Sequence, residues 1–137
     1  MGFESVEKMV MSEMRKVYSE KAIEHAMNPR NVGRIKDANG AARITGSCGD
    51  TMEMSLKVKN GEIVEAKFWT DGCGSSIACG SVTTELVKGK RIPEALKIDS
   101  KRLIEVLDGL PESDIHCSVL TSNTLQAAIK DYMNHAK

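Results

Sequence analysis

Cys73 is the residue of this 137-residue chain whose surroundings are most suited to chemistry. It stands between Gly72 and Gly74, where an alternating strand pattern gives way to a helical one. Glycine permits unusual backbone angles and lets a bulky ligand come close to the chain. The free N–H groups of the following helix point back toward the thiol and favour the thiolate, the form that binds metal or attacks sulfur. Cys73 is therefore a candidate metal ligand or sulfur nucleophile.

A thiol and a carboxylate, Cys48 and Asp50, are predicted to lie near Cys73. Both stand in the turn that follows the first predicted strand. An antiparallel hairpin that starts at Thr51 brings its other end, Thr70, back to the same edge of the sheet. The residues just before the hairpin and just after it should therefore be neighbours across one end of the sheet.

His116 and Cys117 are predicted in a turn before the last helix, whose first N–H groups again lie nearby. Three thiols, one carboxylate and one imidazole can then meet at one end of the fold. Taken singly, each has a structural explanation as a buried cysteine, a turn aspartate or a capping histidine. The joint pattern favours a functional site, because three of the four cysteines stand at the ends of elements and not on apolar faces.

The fourth cysteine, Cys79, falls inside the helix that follows Cys73. At a rise of about 1.5 Å per residue it lies roughly 6 Å or more along the helix axis from the helix start. Metal–sulfur bonds are near 2.3 Å, so the two thiols are poorly placed to share one metal atom. We predict a small buried packing residue, with a spare thiol for sulfur handling as the alternative. His25 and His135 are predicted as surface residues of helices.

Local patterns predict the elements that position these residues. Four apolar residues from Met52 to Val58 alternate with polar ones, which is typical of a strand with one wet face. Asn60-Gly61 then predicts a tight hairpin turn, so 51–70 should form an antiparallel hairpin behind a first strand at 41–47. Helices are predicted over 1–17, from a cap at Ser19 to Asn28, over 75–88, from Pro93 to Ile98, from a cap at Ser100 to Gly109, and from Ser118 onward.

Strands first and helices afterwards predict an α+β fold. We expect a small three-stranded antiparallel sheet with helices packed on one face, preceded by an N-terminal helix. Residues 1–17 form the N-terminal helical extension and residues 18–137 the domain that carries the site. The extension repeats apolar residues at helical spacing, so it is either a partner-docking or dimerising helix or a packed or frayed chain end.

Composition excludes several classes of protein. Lys+Arg 19 balances Asp+Glu 19, which argues against a nucleic-acid partner. No run of 18 apolar residues exists, which argues against a membrane partner. The acidic start without an apolar stretch predicts neither a secretory signal nor a transit peptide, so the expected location is cytoplasmic. Four cysteines in such a chain are expected to bind metal or act in catalysis rather than form disulfides.

The mixture of ligands is informative. Thiolates suit zinc and iron–sulfur clusters, whereas a carboxylate is a harder ligand that holds a cluster iron less firmly. A weak fourth position favours a site that assembles and releases a cluster. One alternative is a structural or catalytic zinc site on Cys48, Asp50, Cys73 and His116 or Cys117. A thiol redox protein is disfavoured because no Cys-x-x-Cys pair exists.

Three short motifs resemble the signature motifs of the iron–sulfur cluster scaffold proteins, the IscU family and the N-terminal domain of NifU. The opening of the chain, Tyr18 to Lys21 with Asn28 to Gly33, is also similar to that family, so the resemblance covers about 18–133. The three motifs are Cys48-Gly49-Asp50, Gly72-Cys73-Gly74 and His116-Cys117-Ser118.

This resemblance implies that Cys48, Cys73 and Cys117 ligate a [2Fe–2S] cluster. Asp50 or His116 would be the fourth ligand, and zinc could occupy the same residues in the absence of a cluster. Sulfur would arrive as a persulfide from a cysteine desulfurase, with Cys117 as the favoured acceptor. The recipients would be apo iron–sulfur proteins, and a homodimer is compatible with the family. The protein would be an assembly scaffold and not an enzyme; the alternative is a zinc-binding protein or a persulfide acceptor using the same site.

Two departures from the family refine these expectations. Many members carry a Leu-Pro-Pro-Val-Lys segment that recruits a dedicated Hsp70-type chaperone. Here the segment runs from Leu110 to Asp114 as Leu-Pro-Glu-Ser-Asp, so we do not expect chaperone-driven transfer. A histidine precedes Cys117 and no long insertion appears near the first strands, so the zinc-dependent sulfur-acceptor branch fits less well.

Overall fold

The computed structural model of the protein describes residues 3–135, and residues 1, 2, 136 and 137 of the predicted extension and domain lie outside that range. Strands and helices follow the predicted order, which confirms the α+β class. The elements are α1 Phe3–Val17, α2 Glu20–Met27, β1 Gly40–Thr45, β2 Thr51–Lys59, β3 Glu62–Thr70, α3 Gly74–Val87, α4 Ile92–Ala95, α5 Ser100–Val106 and α6 Ile115–His135, with a 3-10 turn at Glu112–Asp114 before α6.

The three strands form one antiparallel sheet in the order β1-β2-β3. Asn60 and Gly61 have φ of 54° and 77°, the positive values that a type I′ turn requires, so the predicted hairpin is confirmed. Thr51 pairs with Thr45 of β1, and its neighbour Met52 pairs with Thr70 of β3. The loop after β1 and the end of β3 therefore share one edge of the sheet.

Helices α3 and α6 cover the sheet and position its functional edge. Helix α3 packs on β3, α6 packs on β1 and β2, and the two helices contact each other. Phe68 is 1% exposed between β3 and α3, and burial of such a side chain is worth about 1.5–3 kcal/mol. A Cβ on Gly80 would lie 2.3 Å from the Phe68 ring, so only glycine lets α3 approach this closely. This close contact holds α3 against β3, the strand that leads into Cys73.

The second face of β2 is covered, whereas we expected a wet face. Part of the loop between α2 and β1 lies over it, and the Ile35 N–H donates to Ser55 Oγ at 3.0 Å. The Arg34 guanidinium donates twice to the Glu53 carboxylate, at 3.1 and 2.6 Å. Ser55 is 7% exposed as a result. Alternation along a strand shows which residues suit water, but it does not show a loop that later folds over them.

Two boundaries near the predicted site differ from expectation. Strand β1 ends at Thr45, because the Gly46 N–H donates to Asp50 O at 2.8 Å and closes a loop over 46–50. Helix α6 begins at Ile115 instead of Ser118. The Ser118 hydroxyl donates to Ile115 O at 2.6 Å, a bond inside a helix rather than a cap. His116 and Cys117 therefore belong to the first turn of α6 and not to a preceding turn.

Three further helix boundaries, those of α2, α5 and α4, can be compared with the predictions. Ser19 caps α2 as predicted, since its Oγ accepts from the Ala22 N–H at 3.0 Å. The cap of α5 is Asp99 and not Ser100, because the Asp99 carboxylate accepts from the Arg102 N–H at 2.9 Å. Helix α4 ends at Ala95, shorter than the predicted end at Ile98.

His25 is wrongly predicted as a surface residue. Its side chain is only 13% exposed, and its Nδ1 lies 2.7 Å from Ser81 Oγ of α3. Its Nε2 lies 3.5 Å from the Glu85 carboxylate, also on α3. His135 is exposed, as predicted. His25 therefore helps to attach α2 to the helix that begins at Cys73.

Helix α1 has the predicted type, but three valines of its apolar stripe are exposed. Val6, Val10 and Val17 are 55%, 53% and 58% exposed, and the Phe3 side chain lies outside the described set. Met14 is half-buried. The choice between a docking helix and a loosely held chain end remains a prediction. No helix within residues 3–135 is both long and apolar enough to cross a membrane.

Candidate metal centre

Three residues, which we call the rim group, bring different ligand atoms together. One atom from each of Cys48, Asp50 and His116 lies within 4.8 Å of the other two. The closed loop over 46–50 supplies the first two, and Gly49 allows its tight path with φ of 91°. The first turn of α6 supplies the imidazole. Thiolate, carboxylate and imidazole together form a donor set that zinc and iron accept.

Cys73 and Cys117, which we call the thiol pair, lie at the starts of the two central helices. Cys73 is the exposed N-cap residue of α3, and Cys117 is 1% exposed in the first turn of α6. Burial raises the pKa of the Cys117 thiol to about 12, the nearby Ser76 hydroxyl opposes that rise, and the neighbouring Cys73 thiol adds to it. A bound cation would reverse this preference, because positive charge favours the thiolate.

The rim group and the thiol pair face each other. His116 Nε2 lies 3.6 Å from Cys117 Sγ. Asp50 Oδ2 lies 3.0 Å from the position that a Cβ on Gly72 would occupy, immediately before Cys73. The structure thus brings the five sequence-predicted site residues to one end of the sheet. Their role as ligands remains a prediction.

The opening at the rim is modest in size. A pocket of about 360 Å³ is lined by Cys48, His116, Val119 and Leu120, among others. A larger pocket, of about 560 Å³, lies between α2 and α3 and carries the carboxylates of Glu20, Glu24 and Glu85 but no thiol. We assign the chemistry to the smaller pocket, because the Cys48 thiol and the His116 imidazole line it.

Cys79 lies behind the thiol pair. It is fully buried, in agreement with the packing role predicted for it. Burial raises the pKa of its thiol, and the neighbouring Cys117 and Cys73 thiols raise it further. A thiol in this state is neutral at physiological pH and is a poor metal ligand or nucleophile.

Sequence reasoning missed a hydrogen-bonded cluster beside Cys73. Asp114 Oδ2 accepts from the Tyr18 hydroxyl at 2.8 Å and from the Ser75 hydroxyl at 2.6 Å. Burial alone would raise the pKa of Asp114, but these hydrogen bonds and one from Ser113 outweigh it and hold the pKa below its usual value. The sequence marked Asp114 only as a departure from the chaperone-recruiting segment. Its contact with Tyr18, 96 positions away, has no local signal.

Comparison with known proteins shows the family to which this chain belongs. Residues 17–137 match the family model described as NifU-like N terminal domain. Iron-sulfur cluster assembly scaffold protein IscU 1 of Archaeoglobus fulgidus is 47% identical over 117 residues, which cover 85% of this chain and 76% of that protein. Iron-sulfur cluster assembly enzyme IscU of Drosophila melanogaster is 45% identical over 130 residues, which cover 91% and 84%.

A solved structure shares the fold. The crystal structure of a nitrogen-fixing NifU-like protein (N-terminal) from Brucella abortus gives a TM-score of 0.69. The match covers 89% of this chain and 98% of that one. Its sequence identity of 20% supports the fold alone.

Proposed function

The chain belongs to the family of NifU-like N-terminal domains, and we propose that it is a scaffold on which a [2Fe–2S] cluster is assembled and from which it is passed to apo-proteins. One observation carries the proposal: a rim group of three different ligands faces a pair of thiols at one end of the sheet. The names of curated relatives as cluster assembly scaffolds support it. Iron and sulfide are the cargo of such a protein.

The ligand set suits temporary binding. Cys48, Cys73 and Cys117 would provide three thiolates, and Asp50 or His116 would complete the site. Iron held by soft thiolates is bound more firmly than iron held by a harder oxygen ligand. We therefore place the release point at the rim, where Asp50 is half-exposed and His116 exposed.

Sulfur is proposed to arrive as a persulfide from a cysteine desulfurase. The Cys117 thiolate would attack the outer sulfur of that persulfide, forming one S–S bond while the bond to the desulfurase cysteine breaks and releases its thiolate. Cys117 is 1% exposed, whereas Cys48 and Cys73 are exposed. Transfer to Cys117 therefore requires a movement that exposes its sulfur, and we infer that the His116 side chain moves, since its Nε2 lies 3.6 Å from that sulfur. The cysteine desulfurase would catalyse the release of sulfur, and this chain would bind iron and sulfur and assemble the cluster.

Zinc binding is the second candidate, and one observation favours it. The ligand atoms of Cys48, Asp50 and His116 lie within 4.8 Å of one another, which is suitable for a single ion. The reconstitution experiment described next separates zinc binding from cluster assembly.

The test is anaerobic reconstitution with ferrous iron and sulfide. We expect visible absorption from sulfide-to-iron charge transfer in the wild-type protein and its loss in Cys73→Ser. Cys79→Ser is the matched control, since it removes a thiol that lies outside the proposed ligand set, and it should keep the absorption. A colourless wild-type protein that retains zinc would overturn the scaffold proposal in favour of a zinc site.

A further inference from the structure

Ser76, in the first turn of α3, has a buried hydroxyl that makes no hydrogen bond to any of the described residues. The residue is 0% exposed. Among the described residues, its Oγ is the one buried side-chain nitrogen or oxygen atom without a hydrogen-bond partner. Burial of an unpaired hydroxyl costs free energy, so such a group requires an explanation.

The neighbouring serines of α3 are different. Ser75 Oγ donates to Asp114 at 2.6 Å. Ser81 Oγ accepts from the Arg30 N–H at 2.9 Å and lies 2.7 Å from His25 Nδ1. The unused hydroxyl of Ser76 is therefore a property of its position and not of the helix as a whole.

That position is the wall of the proposed cluster site. A Cβ on Gly72 would lie 2.6 Å from Ser76 Oγ and 3.0 Å from Asp50 Oδ2, so both oxygens are close to the same point beside Cys73. The Ser76 hydroxyl also lowers the pKa of the Cys117 thiol, against the larger and opposite effect of burial, although it makes no full hydrogen bond to the neutral thiol.

The N-terminus of α3, like the Ser76 hydroxyl, favours negative charge beside Cys73. The helix has 14 residues, and the side chain of its N-cap, Cys73, accepts no hydrogen bond from the first turn. A helix N-terminus carries partial positive charge and free N–H donors, and it favours an anion placed there. The hydroxyl and the helix end thus favour negative charge at the same place.

We propose that the Ser76 hydroxyl donates a hydrogen bond to the sulfur of Cys117 when that sulfur becomes a cluster-ligating thiolate. The inference rests on the proposed scaffold function and adds a residue outside the ligand set. Ser76 is paired only in the loaded protein. Removal of its hydroxyl should therefore have opposite effects on the free and the loaded protein.

The experiment compares Ser76→Ala with wild type in both states. The metal-free variant should unfold at the same or a higher urea concentration than wild type, because it loses an unpaired buried hydroxyl. The reconstituted variant should lose its cluster to a chelator about tenfold faster, the effect of one hydrogen bond to a charged group. Its cluster should also have a more negative reduction potential, since hydrogen bonds to ligand sulfur stabilise the reduced form.

Ser122→Ala is the matched control. Ser122 is a buried serine of α6 whose hydroxyl already donates to Val119 O at 3.2 Å. Its removal should lower the stability of the metal-free protein and leave the reduction potential of the cluster unchanged. The control therefore separates the general effect of losing a buried hydroxyl from the effect of losing the Ser76 hydrogen-bond donor.

Two results would overturn the inference. One is a Ser76→Ala cluster with the wild-type potential and the wild-type rate of loss. The other is a metal-free variant clearly less stable than wild type, which would show that the hydroxyl is already paired. If wild-type protein forms no cluster, the proposed function fails and this inference fails with it; if wild type does and the variant matches it, only this inference fails.

Discussion

The rim group and the thiol pair are two halves of one site that are held in different ways. Two of the three rim residues, Cys48 and Asp50, belong to the short loop over 46–50, and all three are exposed or half-exposed. The thiol pair begins the two helices that pack on the sheet, and Cys117 is 1% exposed. The difference teaches that the packed helices fix the thiol pair, whereas the rim group can change its position at little cost in free energy. Firm binding by the thiol pair and release at the rim follow from that division.

The largest expected effect comes from disturbing the support of the thiol pair. Gly80→Ala would place a Cβ 2.3 Å from the Phe68 ring and force α3 away from β3. We expect a loss of about 1–3 kcal/mol in the free energy of unfolding, measured in urea. Cys48→Ala, at the exposed rim, should change it by less than about 0.5 kcal/mol. Equal effects at the two positions would remove the distinction between the halves.

The next effect concerns release at the rim. Asp50→Ala would leave the fourth position to His116, whose imidazole lies within 4.8 Å and is a softer ligand than a carboxylate. The cluster should then be lost severalfold more slowly. The loss is measured as the decay of visible absorption in the presence of a chelator. Glu112→Ala, in the 3-10 turn before α6, controls for the loss of one negative charge at an exposed residue. Equal or faster loss in Asp50→Ala would exclude Asp50 as the release point.

The smallest effect is a pH dependence in the packing behind the thiol pair. Burial lowers the pKa of His25 below 6.5, and the nearby Arg30 guanidinium lowers it further, against the opposing Glu85 and Glu24 carboxylates. Folded protein therefore binds fewer protons than unfolded protein near this histidine. Its contribution to stability is present above pH 6.5 and is lost as the pH falls through the folded-state pKa.

His25→Gln should remove this part of the acid sensitivity, measured as urea midpoints across a pH series. His135→Gln is the matched control, because that imidazole is 73% exposed on α6. A wild-type acid profile retained in His25→Gln would show that other groups cause the sensitivity.

Prediction from sequence succeeded where short-range chemistry decides the structure. Asn60-Gly61 requires positive φ at both residues, and that requirement set the hairpin and the edge at which Cys48 and Cys73 meet. Ser19 caps α2 because its hydroxyl reaches an amide three residues later. The placement of the five candidate ligands at one edge followed from these local rules.

Prediction from sequence failed where contacts between residues far apart in the chain decide the structure. The start of α6 at Ile115 follows from the 3-10 turn before it, which no capping residue announces. His25 is buried by residues of α3 that lie 56 and more positions away. The unpaired hydroxyl of Ser76 appears only once α3, α6 and the 46–50 loop are assembled. Neither a helical period nor a residue type contains that information.

The Mössbauer spectrum of the reconstituted protein tests most directly whether the rim group and the thiol pair hold one cluster together. We predict two iron sites in equal amounts: one with sulfur ligands only, bound by the thiol pair, and one with an oxygen or nitrogen ligand from the rim. Two identical irons with sulfur ligands alone would contradict the account.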